Sequence, residues 1–283
     1  MSIEIESLSY TYMEDTPLSH TALHDVTLTL REGAFTAIAG ETGAGKSTLM
    51  QLIGGLLTPT AGAVRVDGVS LYGKSKAEKE AARTARFRVG MVFQYPEHQL
   101  FEETVYEDIA FGPRNQGLTD GEVEARVREA MELVHLPEAY RDRSPFALSG
   151  GERRRVAIAG VLALAPHYLV LDEPAAGLDP RGREALLSML TMLYRERGVS
   201  IVLVSHSMED ILRVANHMVI LAGGKVIGEG TPQELFRQDE LLARAALAAP
   251  HLLQLGQKLD AAGYPVGGCT TAEDMATKIL AER

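Results

Sequence analysis

The sequence is poor in cysteine, in basic residues and in long apolar segments. Its only cysteine, Cys269, excludes an internal disulfide and any zinc site built from cysteines, which fits a reducing compartment. Lysine and arginine number 28 against 38 acidic residues, and the net charge of −10 argues against nonspecific binding to nucleic acid. Local basic clusters remain able to bind phosphate.

The longest apolar run, "VAIAGVLALA" at residues 156–165, falls well short of the roughly 20 residues that a membrane-spanning helix needs. The N-terminal "MSIEIE" is acidic where a secretory signal would be basic, so no export signal is expected. We therefore expect any role at a membrane to depend on partner proteins.

Short runs of aliphatic and β-branched residues recur along the chain, with helical stretches between most of them. Such runs are typical of parallel strands buried on both faces of a sheet, and they predict an α/β fold. The clearest runs are "FTAIAG" at residues 35–40, "RVGMVFQ" at 88–94, "YLVLDE" at 168–173 and "SIVLVSH" at 200–206.

Other segments predict smaller units around this core. Alternating N-terminal runs, the turn pair Asp67 and Gly68, and the hairpin pair Gly223 and Gly224 predict an antiparallel β subdomain and a hairpin. Helical periodicity predicts an inserted helical subdomain at about residues 102–149. Its clearest helix face is the following: Val123, Val127, Ala130, Met131 and Val134. We expect one domain at residues 1–230 and a C-terminal helical extension at 231–283 that serves dimerisation.

A phosphate-binding motif, "GETGAGKST", lies at residues 40–48 between an apolar strand and a probable helix. Its glycines let backbone N–H groups surround the phosphates, Lys46 reaches the outer phosphates, and Ser47 offers a hydroxyl to Mg²⁺. The alternative is a glycine-rich turn without a ligand, but the strand and helix on either side favour a P-loop NTPase core with a mainly parallel sheet.

The segment "YLVLDEP" supplies two acids at the end of a second apolar strand. Asp172 can approach Mg²⁺, while Glu173 projects differently and can polarise an attacking water. Acidic residues often end a strand in a solvent-exposed turn without any functional role. The predicted roles of Asp172 and Glu173 therefore depend on the phosphate loop beside them.

The segment "ALSGGERRR" contains a capping box at Ser149 and Glu152. A capping box explains a helix start but leaves Gly150 and Gly151 unexplained, since each glycine destabilises a helix by up to about 1 kcal/mol relative to alanine. Bare amides at a helix N-terminus suit a phosphate. Because one nucleotide already has a phosphate loop, this helix start would serve the nucleotide of another subunit.

Together these motifs resemble those of the ATP-binding subunits of ABC transporters over about residues 1–230. Residues 40–47 match Walker A, Gln94 the Q-loop, residues 148–152 the signature, residues 177–180 the D-loop, and His206 the switch histidine. The resemblance implies a head-to-tail dimer that sandwiches two ATP molecules, each between one subunit's Walker A and its partner's signature.

The resemblance also implies individual roles. It implies catalytic roles for Glu173, His206 and Gln94, and Mg²⁺ contacts for Ser47, Gln94 and Asp172. It implies nucleotide contacts for the following residues, with Tyr12 stacking on adenine: Tyr12, Gly40, Glu41, Thr42, Gly43, Ala44, Gly45, Lys46, Ser47, Thr48, Ser149, Gly150, Gly151, Glu152 and Asp179. Two residues depart from the family pattern: Glu152 stands where Gln is usual, and Glu41 where this subgroup often has His.

Within the family, the chain resembles the second A-type ATPase of energy-coupling factor importers of vitamins and metals. The pointers are "QYPEHQLFEETVYEDIAFGPRN", "RRVAIAG", "DEPAAGLDP" and the helical tail from "GTPQELF". The resemblance implies a peripheral subunit at the cytoplasmic face of the cell membrane, bound to an integral membrane scaffold (T component) and a substrate-binding membrane subunit. It also implies a second ATPase subunit, either a related A-type chain or a second copy.

Alternatives remain open at two points. Leu100 and Phe101 follow the Q-loop strand, and they either contact a membrane partner or fill the core of the helical insertion. A soluble ABC-type ATPase acting on nucleic acid or ribosomes is the other functional class, although such proteins usually carry two cassettes or a long coiled coil. A P-loop small-molecule kinase leaves the signature glycines unexplained.

Overall fold

A computed structural model describes residues 1–73, 75–264, 266, 269 and 272–281. Its helices and strands alternate along much of the chain. The strands are β1 Ser2–Tyr12, β2 His20–Arg31, β3 Phe35–Ala39, β4 Ala61–Val66, β5 Val69–Ser70, β6 Val89–Val92, β7 Tyr168–Asp172, β8 Ser200–Val204, β9 His217–Ala222 and β10 Lys225–Gly230. The helices are α1 Lys46–Ile53, α2 Lys76–Arg86, α3 Val105–Asn115, α4 Asp120–Leu133, α5 Gly150–Leu162, α6 Pro180–Arg197, α7 Met208–Val214, α8 Pro232–Leu235, α9 Asp239–Arg244, α10 His251–Ala261 and α11 Ala272–Ala281.

The central sheet has six strands in the order β10-β9-β3-β8-β7-β6. All its pairs are parallel except the β9–β10 hairpin, which turns at Gly223 and Gly224 as predicted. Every residue of β3 and β8 is buried, which explains why these strands read as continuous apolar runs. The carboxyl ends of β3, β7 and β8 share one edge, so the segments that follow them converge there.

A second sheet, β2-β1-β4-β5, is antiparallel throughout. Its apolar face carries residues such as Ile3, Ile5 and Leu28, which join one hydrophobic cluster with Leu49 of α1 and Val170 of β7. The antiparallel sheet therefore packs with α1 over one face of the central sheet and fixes the strands that flank the phosphate loop.

The helical insertion is also present. The face predicted for α4 is buried, and it packs in a cluster with α3, α5 and the other face of the central sheet. These elements confirm the predicted fold class: a P-loop NTPase core with a mainly parallel sheet, an antiparallel β subdomain, a helical insertion and C-terminal helices. Among the described residues, no helix has both the length and the apolar character needed to cross a bilayer.

The C-terminal helices divide into two sets. Leu235, Phe236 and Leu242 belong to the same hydrophobic cluster as the helical insertion. Helices α10 and α11 share a small separate cluster that includes Val266 and Met275. Helices α8 and α9 thus pack on the main body, and α10 contacts both the main cluster, through Leu253, and the small cluster that it shares with α11.

Asp67 joins the antiparallel sheet to the central sheet. Its carboxylate accepts hydrogen bonds from the Tyr168 hydroxyl at 2.8 Å, from Arg88 Nη1 at 2.7 Å and from the Ser2 backbone N–H at 3.1 Å. Burial alone would raise the pKa of this carboxyl, but the hydrogen bonds from Tyr168, Arg88 and Ser2 outweigh burial and hold the pKa below its ordinary value.

Replacing Asp67 with Asn should lower the free energy of unfolding by about 1–3 kcal/mol at neutral pH, since Tyr168, Arg88 and the Ser2 N–H lose a charged and largely buried acceptor. The folded-state pKa of Asp67 is depressed, so its contribution is present above the ordinary value of 3.8 and is lost as the pH falls through the folded-state pKa. Urea denaturation should therefore show a difference between the two proteins that narrows in acid. The same exchange at Asp15, which is exposed in the β1–β2 turn, should change little; an equal loss there would contradict the prediction.

Candidate active site

The phosphate loop connects β3 to α1, and close backbone approaches require its glycines. A Cβ at Gly40 would lie 2.2 Å from the Leu221 carbonyl oxygen, and a Cβ at Gly45 would lie 2.6 Å from the Ala22 carbonyl oxygen. Gly45 also has a φ of 97°. The loop is therefore held closely between β2 and β9.

Lys46 begins α1 and is only 5% exposed. Its ammonium donates to the carbonyl oxygens of Gly40 at 2.9 Å and Glu41 at 2.8 Å. Burial lowers the pKa of Lys46, while the charges of Glu173, Asp172 and Glu41 act in the opposite direction. The lysine is thus enclosed by the loop that it would serve, with acids nearby that favour its charged form.

A cavity of about 430 Å³ opens beside this loop. It brings together segments that are far apart in the sequence, including most of the predicted site. Its lining residues are Tyr12, His20, Ala22, Thr42, Gly43, Gly45, Lys46, Ser47, Thr48, Gln94, Glu173 and His206. Gly40 and Glu41 line an adjoining cavity, which shares Thr42 and His206 with the first.

Glu173 and His206 form the centre of the candidate catalytic group. His206 Nε2 lies 2.7 Å from Glu173 Oε1, at the edge where β7 and β8 end. Glu173 has a φ of 48°, and its backbone N–H donates to the Val204 carbonyl at 3.1 Å. A left-handed backbone is unfavourable for a glutamate and persists only where its surroundings impose it. Here the hydrogen bond from the Glu173 N–H to β8 helps to hold this backbone conformation, and the Glu173 side chain lines the cavity.

Asp172 provides an observation that fits a divalent cation. Its Oδ1 is buried and has no hydrogen-bond partner among the described residues. Buried carboxylate oxygens are rarely left unpaired, and water or a bound ion is the usual explanation. Together with the Ser47 hydroxyl and the Gln94 amide, this oxygen-rich set has the chemistry that Mg²⁺ prefers.

Tyr12 lies over the same cavity. Its hydroxyl is 3.1 Å from Thr48 Oγ1, and its ring packs edge to face on Tyr10 with 4.7 Å between centroids. The side chain is 37% exposed. Part of the ring therefore remains available for stacking, which stays a prediction.

His20 and Ala22 also line the cavity, although no role was predicted for either residue. Tyr12 and His20 face each other across the β1–β2 ladder. The alternating pattern indicates strands in this region but not how they pair. The pairing of His20 with Tyr12 depends on the register, which is set by the intervening turn and by bulges along the two strands.

The signature segment lies outside this cavity. Ser149 caps α5, and the Glu152 carboxylate accepts from the Ser149 backbone N–H at 2.8 Å and from the Tyr140 hydroxyl at 2.9 Å. Hydrogen bonds from Ser149 and then Tyr140 lower the pKa of Glu152 to about 2. The predicted capping box is therefore present, and it accounts for an acid at position 152.

Gly150 and Gly151 are exposed, and a Cβ at either would meet no atom within 4 Å. Nothing within the described chain requires glycine at these two positions. Asp179 is also exposed and caps α6, accepting from the Gly182 N–H at 2.6 Å. The chain's own nucleotide cavity includes none of these residues.

The two apolar residues after the Q-loop have different environments. Leu100 is 8% exposed and packs in the core of the helical insertion. Phe101 is 58% exposed and packs edge to face on Phe111, with 5.0 Å between centroids. Of the two alternatives left open by the sequence, core packing holds for Leu100, and only Phe101 presents its ring at the surface.

Comparisons with known proteins identify the family of this chain. The family model "ABC transporter" matches residues 23–176. The energy-coupling factor transporter ATP-binding protein EcfA2 of Clostridium perfringens is 46% identical over 267 residues, covering 94% of this chain and 92% of that protein.

Solved structures give the same result. The cbiO1 protein of Clostridium perfringens, described as part of the ABC transporter complex cbiONQ, has a TM-score of 0.73 at 33% identity over 91% of this chain and 98% of its own. An ATP-binding cassette described as dimeric, in a post-hydrolysis state with ADP and Pi, has a TM-score of 0.71 at 29% identity over 81% of this chain and 98% of its own. The chain therefore belongs to the ATP-binding subunits of ABC transporters, in the energy-coupling factor group.

Proposed function

We propose that this chain, an ATPase subunit that powers an energy-coupling factor importer, hydrolyses ATP with the residues gathered around the cavity beside β3. The observation that carries the proposal is the arrangement of Lys46, Gln94, Glu173 and His206 around one opening at the carboxyl edge of a parallel sheet. Ligands collect at this edge in open α/β sheets.

The residues divide the work between binding and chemistry. Loop amides and Lys46 hold the phosphates, and Tyr12 supports the base. The Glu173 carboxylate accepts a proton from water positioned for in-line attack, while His206, within 2.7 Å of it, holds the carboxylate in place and contacts the terminal phosphate. Positioning and charge neutralisation supply most of the rate enhancement.

The oxygen donors fit Mg²⁺. Ser47, Gln94 and Asp172 would hold the ion, with the unpaired Oδ1 of Asp172 as the supporting observation. When bound, the ion neutralises charge on the phosphate oxygens.

A complete site needs a second ATPase subunit. The phosphate loop and the signature lie apart in one chain, and Gly150 and Gly151 are exposed without any internal reason to be glycine. Bare amides at the start of α5 therefore suit a nucleotide held by a neighbouring subunit. We propose that this neighbour is a related A-type chain, with a second copy as the alternative.

We also propose the division into domains that the sequence predicts. Residues 1–230 act as the ATPase domain, with its helical insertion at about 102–149, and residues 231–283 assist dimerisation. Leu255 and Leu280, which are 49% and 68% exposed, offer apolar surface for this contact. Residues 265, 267, 268, 270, 271, 282 and 283 of the extension lie outside the described residues.

The membrane partners are assigned to the surface beside the Q-loop. Phe101 and Phe111 form an exposed aromatic pair, and Phe101 follows Gln94 by seven residues in the chain. Such a pair suits an apolar helix of a membrane scaffold, the T component, which would in turn hold the substrate-binding subunit. The chain would then lie peripherally at the cytoplasmic face of the membrane.

Replacing Phe101 with Ser should weaken binding to the membrane scaffold about tenfold or more, because burial of a phenylalanine contributes about 1.5–3 kcal/mol. ATP binding should not change, since Phe101 is outside the nucleotide cavity. Copurification from detergent extracts at graded salt and detergent measures the effect. The matched control is Leu18→Ser, at a residue 74% exposed in the β1–β2 turn. Equal recovery of the scaffold with both variants would exclude this docking surface.

The proposed function is tested by affinity purification of the tagged chain from native membranes, followed by Mg²⁺-dependent phosphate release. We expect an integral membrane scaffold and a second ATPase subunit in the purified material, with ATP turnover. If the tagged chain copurifies with ribosomes or nucleic acid instead, the result would support the soluble alternative. The similar proteins named as transporter components do not favour that alternative.

A further inference from the structure

Three segments of the active site meet at one buried guanidinium. Arg154, in the second turn of α5, is only 5% exposed. Its Nε and Nη2 donate to the two carboxylate oxygens of Glu97, each at 2.9 Å. Its Nη1 donates to the carbonyl oxygens of Pro174 at 3.1 Å and Ala176 at 2.9 Å.

These partners belong to two different functional segments. Glu97 lies in the 3₁₀ turn Pro96–Gln99, directly after the Q-loop glutamine. Pro174 follows the candidate base Glu173, and Ala176 leads into the D-loop. Arg154 itself is carried by the helix whose first residues form the signature. One side chain therefore links the signature helix to both the Q-loop and the segment after β7.

The segment after Gln94 is also fixed by Tyr95. This residue has a φ of 56°, and its ring lies 6.0 Å from the Arg154 guanidinium. The ring edge also approaches Gly177, since a Cβ there would be 3.7 Å from Tyr95 Cε1. The left-handed backbone at Tyr95 is unfavourable and needs surrounding contacts to persist. The Q-loop exit and the D-loop thus contact each other around Arg154.

An arginine is required for this linkage because its guanidinium is planar and presents several donors in a rigid fork. The bidentate bond to Glu97 and the two carbonyl contacts fix the guanidinium in both direction and plane. A lysine ammonium carries the same charge but cannot make all these contacts at once. Removal of one partner would also leave the other charge buried without compensation.

We propose that Arg154 is a positioning residue that transmits movement of the signature helix to the chain's own hydrolytic site. When the start of α5 engages the neighbouring subunit's nucleotide, the helix carries Arg154 with it. The guanidinium then moves Glu97 and the 174–176 carbonyls, and thereby Gln94 and Glu173. This inference rests on the proposed function, and it adds a physical connection between the two nucleotide sites of a dimer.

Replacing Arg154 with Lys in the assembled transporter should lower kcat at least about tenfold, while the Kd for ATP at the phosphate loop changes less than about threefold. Glu97→Gln should produce the same split, because it removes the other half of the link. The double variant should be no worse than the more affected single variant, since both changes break one connection. ATP-driven subunit association, measured with Glu173→Gln present, should also weaken in the Arg154→Lys chain.

The matched control is Arg141→Lys. Arg141 also makes a bidentate pair, with Glu124 in the helical insertion, and among the residues that the structure describes its side-chain hydrogen bonds reach only Glu124 and Glu138. It should retain wild-type kcat. Melting temperatures identify variants that do not fold. If Arg154→Lys does not fold, the inference is tested with Glu97→Gln, using the same comparison of kcat with the Kd for ATP.

The inference is overturned if the folded variants keep wild-type kcat, or if kcat falls only in proportion to ATP affinity. Additive losses in the double variant would overturn it too. Failure of the proposed function is distinguishable, because the wild-type assembly would then show no Mg²⁺-dependent ATP turnover.

Discussion

Replacement of Glu173 by Gln is expected to reduce ATP turnover by about 10²–10⁴-fold while leaving ATP bound, because the amide cannot accept a proton from the attacking water. The neutral side chain has the same shape, and it retains an oxygen that can remain near His206, which now lies 2.7 Å from the carboxylate. The backbone tie from residue 173 to Val204 is independent of the side chain, so the fold should not change.

The measurement is single-turnover phosphate release together with ATP affinity and subunit association by gel filtration. With ATP bound but not hydrolysed, the variant should accumulate as a stable dimer, because the dimer reopens only after ATP is cleaved. The control is Glu196→Gln, an exposed acid near the end of α6 that should retain normal turnover. Undiminished hydrolysis by the Glu173 variant would show that another group activates the water.

The second large effect is expected at the signature helix. Gly151→Val should reduce ATP hydrolysis about 100-fold, because a branched side chain would separate the α5 amides from the neighbouring subunit's nucleotide. The loss of one well-placed transition-state donor has an effect of this size. Within one chain a Cβ at this exposed position meets no described atom within 4 Å outside the neighbouring helix backbone, so the melting temperature and ATP binding by an isolated chain should remain near wild type.

The chain contains a close structural match for this experiment. Gly121 occupies the same position in α4 as Gly151 does in α5, as the second residue of a helix that begins with a capping box. A Cβ at Gly121 also meets nothing within 4 Å. Gly121→Val should therefore reproduce any effect on helix stability without affecting turnover. If the two variants hydrolyse ATP equally well, the signature does not contact a neighbour's nucleotide.

The acid at position 152 illustrates how local structure modifies a family pattern. Its carboxylate closes the capping box and accepts from Tyr140, and these hydrogen bonds lower its pKa to about 2. The acid is thus committed to the helix start and stays ionised across the physiological range. Glu41 has no comparable structural explanation, since its backbone carbonyl, rather than its side chain, receives Lys46.

The parallel sheet and the elements that converge at its edge could be predicted from the amino-acid sequence. Continuous apolar runs specify strands buried on both faces, and the phosphate loop, Asp172, Glu173 and His206 each follow such a run directly. Because parallel strands end at a common edge, the sequence predicts these groups at one edge of the sheet, whereas the neighbouring positions of β3, β8 and β7 follow from the fold. The capping box at Ser149 was equally accessible, since its partners are three residues apart.

The contacts between segments that are distant in the chain could not be predicted in this way and follow from the packing of the whole fold. The β1–β2 register brings His20 to the nucleotide cavity, packing against the helical insertion buries Leu100 but not Phe101, and Arg154 finds Glu97 across 57 residues. Hydrophobic periodicity specifies which face of an element is buried but not which residues of another element it meets. That choice depends on the simultaneous packing of several elements, and local sequence carries no separate signal for it.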